Sequence, residues 1–316
     1  MTAVLLTGGT GSFCTAFTEH LLGTKVERIV IYSRGEHAQE EMARRFSDPR
    51  LRFFIGDVRD RKRLELAMHG INTVVHAAAL KIVPIAEYNP TECMATNVGG
   101  AENVVLAAIS AGVSRVIALS TDKAVNPINL YGASKLAAEK VFIAANNLSA
   151  GRCRFSVVRY GNVAGSRGSV LPLFKALVAK GEKTLPITDI RMTRFWITMQ
   201  QAIALVNTCH AQMKGREIFV PMIPSIYISA LIEALDCEPI AVGIRPGEKL
   251  HEILITDDES FNAVTHDHYD VIYPPGHFPN EYPRRVGFQY ASDTNPIFLD
   301  AIQLREMIYG QKETIH

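Results

Sequence analysis

The chain of 316 residues has few cysteines, and they are scattered: Cys14, Cys93, Cys153, Cys209 and Cys237. Their number is odd and no two form a Cys-x-x-Cys pair, which excludes a disulfide framework and a zinc knuckle. The pair His266-x-His268 has no neighbouring ligands at suitable spacing, so we assign it to a loop and expect no metal. A reducing cytoplasm is the expected compartment.

Long apolar runs and a charge excess are also missing. No run approaches the ~18 residues that span a bilayer, and no basic segment precedes the first apolar segment. Lys and Arg number 33 against 32 Asp and Glu, so the net charge is +1 and no general basic surface for nucleic acid is indicated. With 47% hydrophobic residues, an ordinary globular protein is predicted that binds neither membrane nor nucleic acid.

Short apolar segments alternate with helical patterns through the first half of the chain. The apolar segments are residues 3–6, 28–32, 51–55, 73–77, 115–119 and 155–159. Amphipathic spacing occupies residues 12–22, 36–46, 61–68 and 90–111, and another helix is expected to begin near Asn129. Strands of this kind need helices on both faces, which predicts an α/β fold with a doubly wound parallel Rossmann sheet.

The alternation of strand and helix patterns becomes less regular after Gly161, where glycines and prolines separate shorter elements. We therefore predict a dinucleotide-binding Rossmann domain over residues 1–164, rejoined by about residues 195–222. A smaller, mixed C-terminal lobe over residues 165–316 is expected to bind substrate. Within it, residues 256–295 are rich in Pro, Asp, His and Tyr, and they are expected to be an irregular covering segment.

A glycine-rich turn, Thr7-Gly-Gly-Thr-Gly-Ser-Phe-Cys14, follows the first strand and leads into a helix. There the backbone can approach a pyrophosphate at the positive end of the helix. Gly8 and Gly11 fill the first two places of a Gly-x-x-Gly-x-x-Gly pattern, whereas Cys14 fills the third. A small apolar packing substitute is the favoured interpretation of Cys14, and a reactive thiol at a helix N-terminus is the alternative.

The second strand lacks the terminal acid that would hold the adenosine ribose of NAD, because it ends Ile31-Tyr-Ser-Arg34. Ser33 and Arg34 are suited to a 2′-phosphate instead, which favours NADP, although Arg34 as a solvated loop cation is an alternative. Asp57, after the third strand, is placed to meet the adenine.

The segment 120–135 gathers a carboxylate, two lysines and a tyrosine directly after an apolar strand. Tyr131 and Lys135 are four apart, so on a helix they share one face, where the ammonium would lower the pKa of the phenol. Asp122 and Lys123 fall at the carboxyl end of the strand, where open α/β sheets bind ligands. The Tyr-x-x-x-Lys spacing alone also fits an exposed helical pair.

These motifs recur with others along nearly the whole chain, at residues 7–13, 76–81, 84–90, 120–135, 158–163, 165–169, 186–196 and 243–252. Together they resemble the extended short-chain dehydrogenase/reductase family, and within it the inverting UDP-N-acetylglucosamine 4,6-dehydratases. Thr121-Asp122-Lys123 discriminates most, because the related dTDP-glucose 4,6-dehydratases carry Thr-Asp-Glu there. Ordinary sugar-nucleotide epimerases lack this acid–base pair.

The resemblance implies a mechanism. Bound NADP⁺ takes a hydride from carbon 4 of the hexose while Tyr131 removes the hydroxyl proton, and Thr121 hydrogen-bonds the carbon 4 oxygen. Lys123 then removes the proton at carbon 5, and Asp122 protonates the leaving hydroxyl at carbon 6. Hydride returns to carbon 6, and reprotonation on the opposite face inverts carbon 5.

These roles require a neutral Lys123 and a protonated Asp122, and burial shifts both pKa values in the required direction. Adjacent strand residues point to opposite sides, so a direct Asp122–Lys123 pair is not expected.

The resemblance also implies two sets of binding residues. The cofactor-binding set is Thr7, Gly8, Thr10, Gly11, Ser12, Phe13, Ser33, Arg34, Asp57, Val58, Ala77, Ala78, Ala79, Lys81, Asn97, Tyr131, Lys135, Tyr160, Asn162 and Val163. The substrate-binding set is Lys81, Glu87, Asn162, Arg167, Arg191, Thr193, Arg194, Arg245, Glu248 and Lys249. Asn97 and Thr121 could equally be buried structural residues.

The implied partners are UDP-N-acetylglucosamine or a close UDP-sugar, and further copies of the chain in a homo-oligomer. The product would feed pseudaminic acid or other deoxy-sugar assembly. Two alternatives are a UDP-sugar 4-epimerase, against which Asp122 and Lys123 argue, and a non-catalytic dinucleotide-binding protein. The latter would be expected to lose Tyr131 or Lys135, and both are present.

Overall fold

A computed structural model describes residues 1–283 and 287–309 of the chain. The strands are β1 Ala3–Thr7, β2 Arg28–Ser33, β3 Leu51–Ile55, β4 Thr73–His76, β5 Arg115–Thr121, β6 Arg154–Tyr160, β7 Asn162–Val163, β8 Thr184–Ile187, β9 Thr193–Ile197, β10 Ile218–Pro221, β11 Ser225–Tyr227, β12 Glu238–Ala241, β13 Ile253–Ile255, β14 Ala263–Thr265, β15 Tyr269–Ile272 and β16 Tyr290–Ala291. The helices are α1 Ser12–Leu22, α2 Glu36–Phe46, α3 Arg61–Ala67, α4 Val83–Tyr88, α5 Pro90–Met94, α6 Gly100–Ser110, α7 Leu130–Leu148, α8 Val170–Ala179, α9 Met199–Gln212, α10 Ile228–Glu233, α11 Asp257–Ser260 and α12 Ala301–Tyr309.

The central sheet has seven parallel strands in the order β3-β2-β1-β4-β5-β6-β10. Its strands are apolar and buried because helices cover them: α7 and α9 both pack on β5 and β6, α7 beside α6 and α9 beside α1. The predicted doubly wound parallel α/β fold is confirmed. The carboxyl ends of β1, β4, β5 and β6 therefore meet at one edge of the sheet, where a ligand site is expected.

The chain returns to this sheet after residue 164. Strand β10 lies parallel to β6, and β15 and β14 continue the sheet antiparallel beyond it. The expectation that residues 256–295 are irregular is wrong for Ala263–Thr265 and Tyr269–Ile272. These strands have only three and four residues, which is too short for a period-2 pattern to be read, and pairing with β10 stabilises them. The division into domains stays a prediction.

A second, smaller hydrophobic core lies among α8, α10 and the short strands β8, β9, β11 and β12. Leu171, Phe174 and Trp196 are buried in it. Strand β7, two residues after β6, pairs with β9 and so joins this core to the carboxyl edge of the large sheet. Among the described residues, no helix combines the length and apolarity needed to cross a membrane.

A buried arginine fixes helix α7 to the sheet. Arg159, on β6, is fully buried, and its guanidinium donates to both carboxylate oxygens of Glu139 on α7, at 3.0 and 2.7 Å. The same group donates to Glu259 on α11 at 2.9 Å and to the carbonyl oxygen of Leu254 at 2.9 Å. Strand β6, helix α7 and the segment after β13 are thus tied at one point.

We expect Arg159→Met to lower the free energy of unfolding by about 3–5 kcal/mol, because Glu139 and Glu259 would lose the cation that neutralises them. Urea denaturation followed by circular dichroism measures this. Arg45→Met is the matched control: Arg45 pairs with Glu19 at 2.8 Å on the surface, and its loss should cost at most about 1 kcal/mol. Equal losses in the two variants would contradict the assignment.

Candidate active site

The glycine-rich turn after β1 is fastened to the loop after β4. Thr7 Oγ1 accepts hydrogen bonds from the amides of Ala77 and Ala78, at 3.2 and 3.3 Å. Gly8 has a φ of +64°, and a Cβ there would lie 2.9 Å from the Cα of Ala78, so only glycine fits. Helix α1 begins behind Gly11 without a side-chain cap, which leaves its first amides available to a pyrophosphate.

Cys14 fills the packing position behind this turn. Its thiol is fully buried, with Sγ 3.7 Å from the carbonyl oxygen of Thr7, and burial raises its pKa to about 12. The packing interpretation is confirmed, and the reactive-thiol alternative is wrong because a thiolate is not stabilised in this apolar contact.

The end of β2 carries a buried serine and an exposed arginine beside Asp57. Ser33 is buried and its Oγ accepts from Gln39 Nε2 at 3.0 Å, whereas Arg34 is exposed and lies 3.7 Å from the carboxylate of Asp57. Asp57 also binds Arg59 at 2.7 Å. Burial alone would raise the pKa of Asp57, but the hydrogen bonds and charge of Arg59 hold it below its ordinary value. Asp57 is thus an ion-paired carboxylate at the rim of the predicted adenine site.

Asn97 lies in a π-helical turn, Ala95–Gly99, between α5 and α6. Its amide accepts from the backbone amide of Leu80 at 2.8 Å and donates to the carbonyl oxygen of Leu80 at 3.0 Å and to Ser134 Oγ at 2.9 Å. These bonds occupy the side chain in holding the loop after β4 against α7. These contacts are those of a buried structural residue, and the place of Asn97 in the cofactor-binding set stays a prediction.

Asp122 and Lys123 lie side by side, contrary to expectation. Strand β5 ends at Thr121, and Asp122–Ala124 form a 3₁₀ turn, so the two side chains no longer alternate. Lys123 Nζ is 3.1 Å from Asp122 Oδ1. The prediction that they point apart is therefore wrong. Helix α7 packs tightly on this turn, because a Cβ at Gly132 would lie 2.2 Å from the carbonyl oxygen of Lys123.

Lys123 is surrounded by oxygen atoms. Besides Asp122, Glu252 Oε1 lies 3.2 Å and Asn162 Oδ1 3.4 Å from Nζ. Burial alone would lower the pKa of Lys123, but the charges of Asp122 and Glu252 raise it well above its ordinary value. The expectation of a lowered pKa is wrong for this structure, in which Lys123 is an ammonium. Glu252 was missed from the sequence, where it is only the last residue of the 243–252 motif.

Tyr131 and Lys135 are both buried on the same face of α7, which begins after an Asn129 cap as expected. Burial raises the pKa of Tyr131 to about 12, and the positive charge of Lys123 opposes this rise. Lys135 donates to the carbonyl oxygen of Leu119 at 2.7 Å, and burial lowers its pKa to about 8. The cation that lowers the pKa of the phenol is thus Lys123 and not Lys135, because Lys135 is directed at the strand.

Two predicted substrate residues are buried and hydrogen-bonded within the protein. Thr193 is fully buried, and its Oγ1 lies 2.8 Å from His251 Nδ1 and 2.7 Å from Ser292 Oγ, so its contact with a substrate stays a prediction. Arg194 is also buried, with its guanidinium donating to the carbonyl oxygens of Thr193 at 2.7 Å and Lys249 at 3.0 Å. Both residues fix the segment 249–252 beside the Lys123 turn.

A family model described as polysaccharide biosynthesis protein matches residues 4–274. The chain belongs to this polysaccharide biosynthesis protein family. The resemblance to extended short-chain dehydrogenases/reductases, and within them to the inverting dehydratases, is likewise confirmed.

Two proteins similar to this family member are named for different activities. The UDP-N-acetylglucosamine 4,6-dehydratase (inverting) of Campylobacter jejuni subsp. jejuni serotype O:2 is 50% identical over 322 residues, covering 96% of each chain. The UDP-glucose 4-epimerase of Rickettsia rickettsii is 44% identical over 271 residues, covering 82% of this chain and 79% of that one. The solved structure of Pen from Bacillus thuringiensis matches with a TM-score of 0.91, 35% identity and 98% coverage of both chains.

In this family member the loop after β7 lies over the glycine-rich turn. The amide of Arg167 donates to Ser12 Oγ at 2.9 Å, and its guanidinium donates to the carbonyl oxygen of Thr10 at 3.1 Å. Lys81 Nζ donates to the carbonyl oxygen of Arg167 at 2.9 Å, and burial together with the Arg167 charge lowers the pKa of Lys81. Arg167 thus contacts the predicted pyrophosphate turn, and its expected place on the sugar side stays a prediction.

The remaining predicted cations lie at different depths. Arg191 is exposed and paired with Asp189 at 2.8 Å, and Arg245 is exposed 3.9 Å from Glu248. Lys249 is partly buried, donates to the carbonyl oxygen of Val125, and has its pKa lowered by burial. Their binding of a substrate diphosphate stays a prediction.

Three other predicted residues contribute to the frame of the site. The carboxylate of Glu87 accepts from the amide of Leu130 at 2.6 Å and so holds the start of α7. Tyr160 is buried, and Phe13 stacks on Phe17 with ring centroids 5.4 Å apart. Within residues 1–283 and 287–309, no group of His, Cys, Asp and Glu side chains is arranged to hold a metal ion.

Proposed function

We propose that this protein is an inverting UDP-N-acetylglucosamine 4,6-dehydratase. The observation that carries the proposal is the Asp122–Lys123 contact at the carboxyl end of β5, beside the buried phenol of Tyr131. The near full-length relative with that name, 50% identical, supports it. Because an acid and a base are needed to eliminate water, this pair suits a dehydratase.

The residues at the β1 turn fit a nicotinamide dinucleotide. The uncapped N-terminus of α1 and the close approach of Gly8 to Ala78 suit its pyrophosphate, and Arg34 is exposed where a 2′-phosphate would lie, which favours NADP. Lys135 and Tyr131 would hold its nicotinamide end. When bound, the dinucleotide supplies the acceptor for the hydride of carbon 4. A homo-oligomer, which the family resemblance implies, stays a prediction.

The contact between Asp122 and Lys123 offers a route to the protonation states that the elimination needs. A proton passing from Lys123 Nζ to Asp122 Oδ1, across their 3.1 Å hydrogen bond, gives a neutral amine and a carboxylic acid. The ion pair and the neutral pair hold the same number of protons, so no proton from solvent is required. Both groups acquire the active state in a single transfer.

The elimination then restores the ion pair. A ketone at carbon 4 acidifies the proton at carbon 5, and the Lys123 amine takes that proton to become an ammonium. Asp122 gives its proton to the carbon 6 hydroxyl, which leaves as water, and becomes a carboxylate. In the preceding oxidation Tyr131 would act as the phenolate, having lost its own proton to solvent, and would accept the carbon 4 hydroxyl proton.

A UDP-sugar 4-epimerase is the second candidate, because the Rickettsia rickettsii relative bears that kind of name. An epimerase needs Tyr131 and Lys135 but no acid and base for carbons 5 and 6. The Asp122–Lys123 pair is therefore better explained by the dehydratase.

The decisive measurement follows UDP-N-acetylglucosamine by NMR in deuterated water. We expect a 4-keto-6-deoxy product with deuterium at carbon 5 and the L-arabino configuration. UDP-N-acetylgalactosamine as sole product would support the epimerase instead, and recovery of unchanged substrate by the dinucleotide-loaded protein would reject both.

We expect Lys123→Ala to reduce dehydration by about 10²–10⁴-fold, because the base for carbon 5 is removed. Dinucleotide binding, measured by isothermal titration, should be unchanged. Lys62→Ala, at an exposed position on α3, is the control and should retain wild-type turnover. Normal turnover of the Lys123 variant would remove Lys123 from the mechanism.

The preference for NADP is tested at Arg34. We expect Arg34→Ala to weaken NADP⁺ binding about tenfold or more, because a charge-assisted contact to the 2′-phosphate is lost. NAD⁺ binding should change little. Arg44→Ala removes an exposed arginine of α2 that pairs with Glu40, and it should affect neither dissociation constant. An equal loss for both cofactors would argue against a 2′-phosphate contact.

A further inference from the structure

Glu252 is a buried carboxylate with no role in the mechanism above. It is 2% exposed, its Oε1 lies 3.2 Å from Lys123 Nζ, and its Oε2 has no hydrogen-bond partner. Two more cations are near: Lys249 Nζ at 3.7 Å from Oε2 and Arg194 Nε at 3.9 Å from Oε1. Burying a carboxylate is costly unless nearby positive charges compensate it, and these three cations do so.

We propose that Glu252 is a positioning residue that holds Lys123 as an ammonium between turnovers and so controls when Lys123 becomes a base. The proposal rests on the dehydratase function for its catalytic consequence. Its electrostatic premise concerns Lys123 alone and can be tested without substrate.

The backbone fixes the position of Glu252. Its backbone amide donates a hydrogen bond to Ser292 Oγ at 2.9 Å, and its carbonyl oxygen accepts one from the amide of Ser292 at 2.8 Å. Ser292 Oγ is in turn 2.7 Å from Thr193 Oγ1. The carboxylate is therefore presented to Lys123 by β9, β13 and the residue after β16, none of which belongs to the parallel sheet.

The charge balance gives Glu252 its effect. Lys123 faces the carboxylates of Asp122 and Glu252, and the phenol of Tyr131 and the cations Arg194 and Lys249 are also close enough to act on its charge. Glu252 faces the cations Lys123, Arg194 and Lys249. Transfer of a proton from Lys123 to Asp122 leaves Glu252 ionised beside a neutral amine, so its charge opposes the transfer. Without that charge, the neutral pair becomes more populated at a given pH.

The first test measures the titration of Lys123 directly. The protein is acylated with acetic anhydride at several pH values between 7 and 11, where Lys123 reacts in proportion to its small neutral fraction, and modification of Lys123 is quantified by mass spectrometry against exposed Lys62. In Glu252→Gln we expect the midpoint for Lys123, obtained from this ratio of modification rates, to fall by at least one pH unit, a tenfold rise in the neutral fraction. An unchanged ratio at every pH would overturn the proposal.

Two variants control this measurement. Glu252→Asp keeps the charge and should return the Lys123 midpoint most of the way to that of the wild type, which a purely steric role would not require. Glu238→Gln removes an exposed carboxylate of β12 and should leave it unchanged. If Glu252→Gln does not fold, the wild type decides: Lys123 must titrate above Lys62, and a midpoint at or below that of Lys62 refutes the proposal.

The second test concerns turnover. In Glu252→Gln the pH profile of deuterium incorporation at carbon 5 should move to lower pH by at least one unit, while the dissociation constant for the dinucleotide stays unchanged. A fall in rate with an unshifted profile would indicate a merely structural residue. If the wild type forms no keto product, the dehydratase proposal fails, but the acylation result still decides whether Glu252 controls the charge of Lys123.

Discussion

The ammonium of Lys123, held between two buried carboxylates, is the interaction on which the site depends. Asp122 comes from the same turn at the end of β5, whereas Glu252 comes from a segment more than a hundred residues later. The contact therefore joins the parallel sheet to the part of the chain that carries the smaller core. The two buried carboxylates and the partly exposed ammonium are tolerated together because each has an opposite partner.

The resting charges of the site differ from those that the proposed chemistry needs. Lys123 is cationic although it is expected to act as a base, and Tyr131 is a phenol whose pKa is raised to about 12 although it is expected to act as a phenolate. A proton shared between neighbours 3.1 Å apart can change the state of both without exchange with water. The buried surroundings make each such transfer sensitive to the nearest charges.

The accuracy of the sequence-based predictions depended on the range of the interactions involved. The strands, the glycine-rich turn and the Tyr131–Lys135 helix face follow from local periodicity, and the structure contains them. The packing of Cys14 was also predictable, because a small apolar residue at that place has one favoured use. The hydrogen bond of Thr193 with Ser292 was not predictable, since a motif residue looks the same in sequence whatever its side chain contacts. The Asp122–Lys123 contact was missed because strand alternation was extended one residue past Thr121.

The sequence by itself determined the fold class, the dinucleotide-type turn and the identity of the proton-transfer groups, since these depend on residue type, spacing and position after a strand. Only the tertiary structure decided which of those groups touch. Glu252 reaches Lys123, and Arg159 reaches Glu139 and Glu259, through contacts between residues far apart in the chain. Protonation states follow such contacts and not sequence spacing, because the pKa of a buried group is set by its desolvation and by the charges within a few ångströms of it.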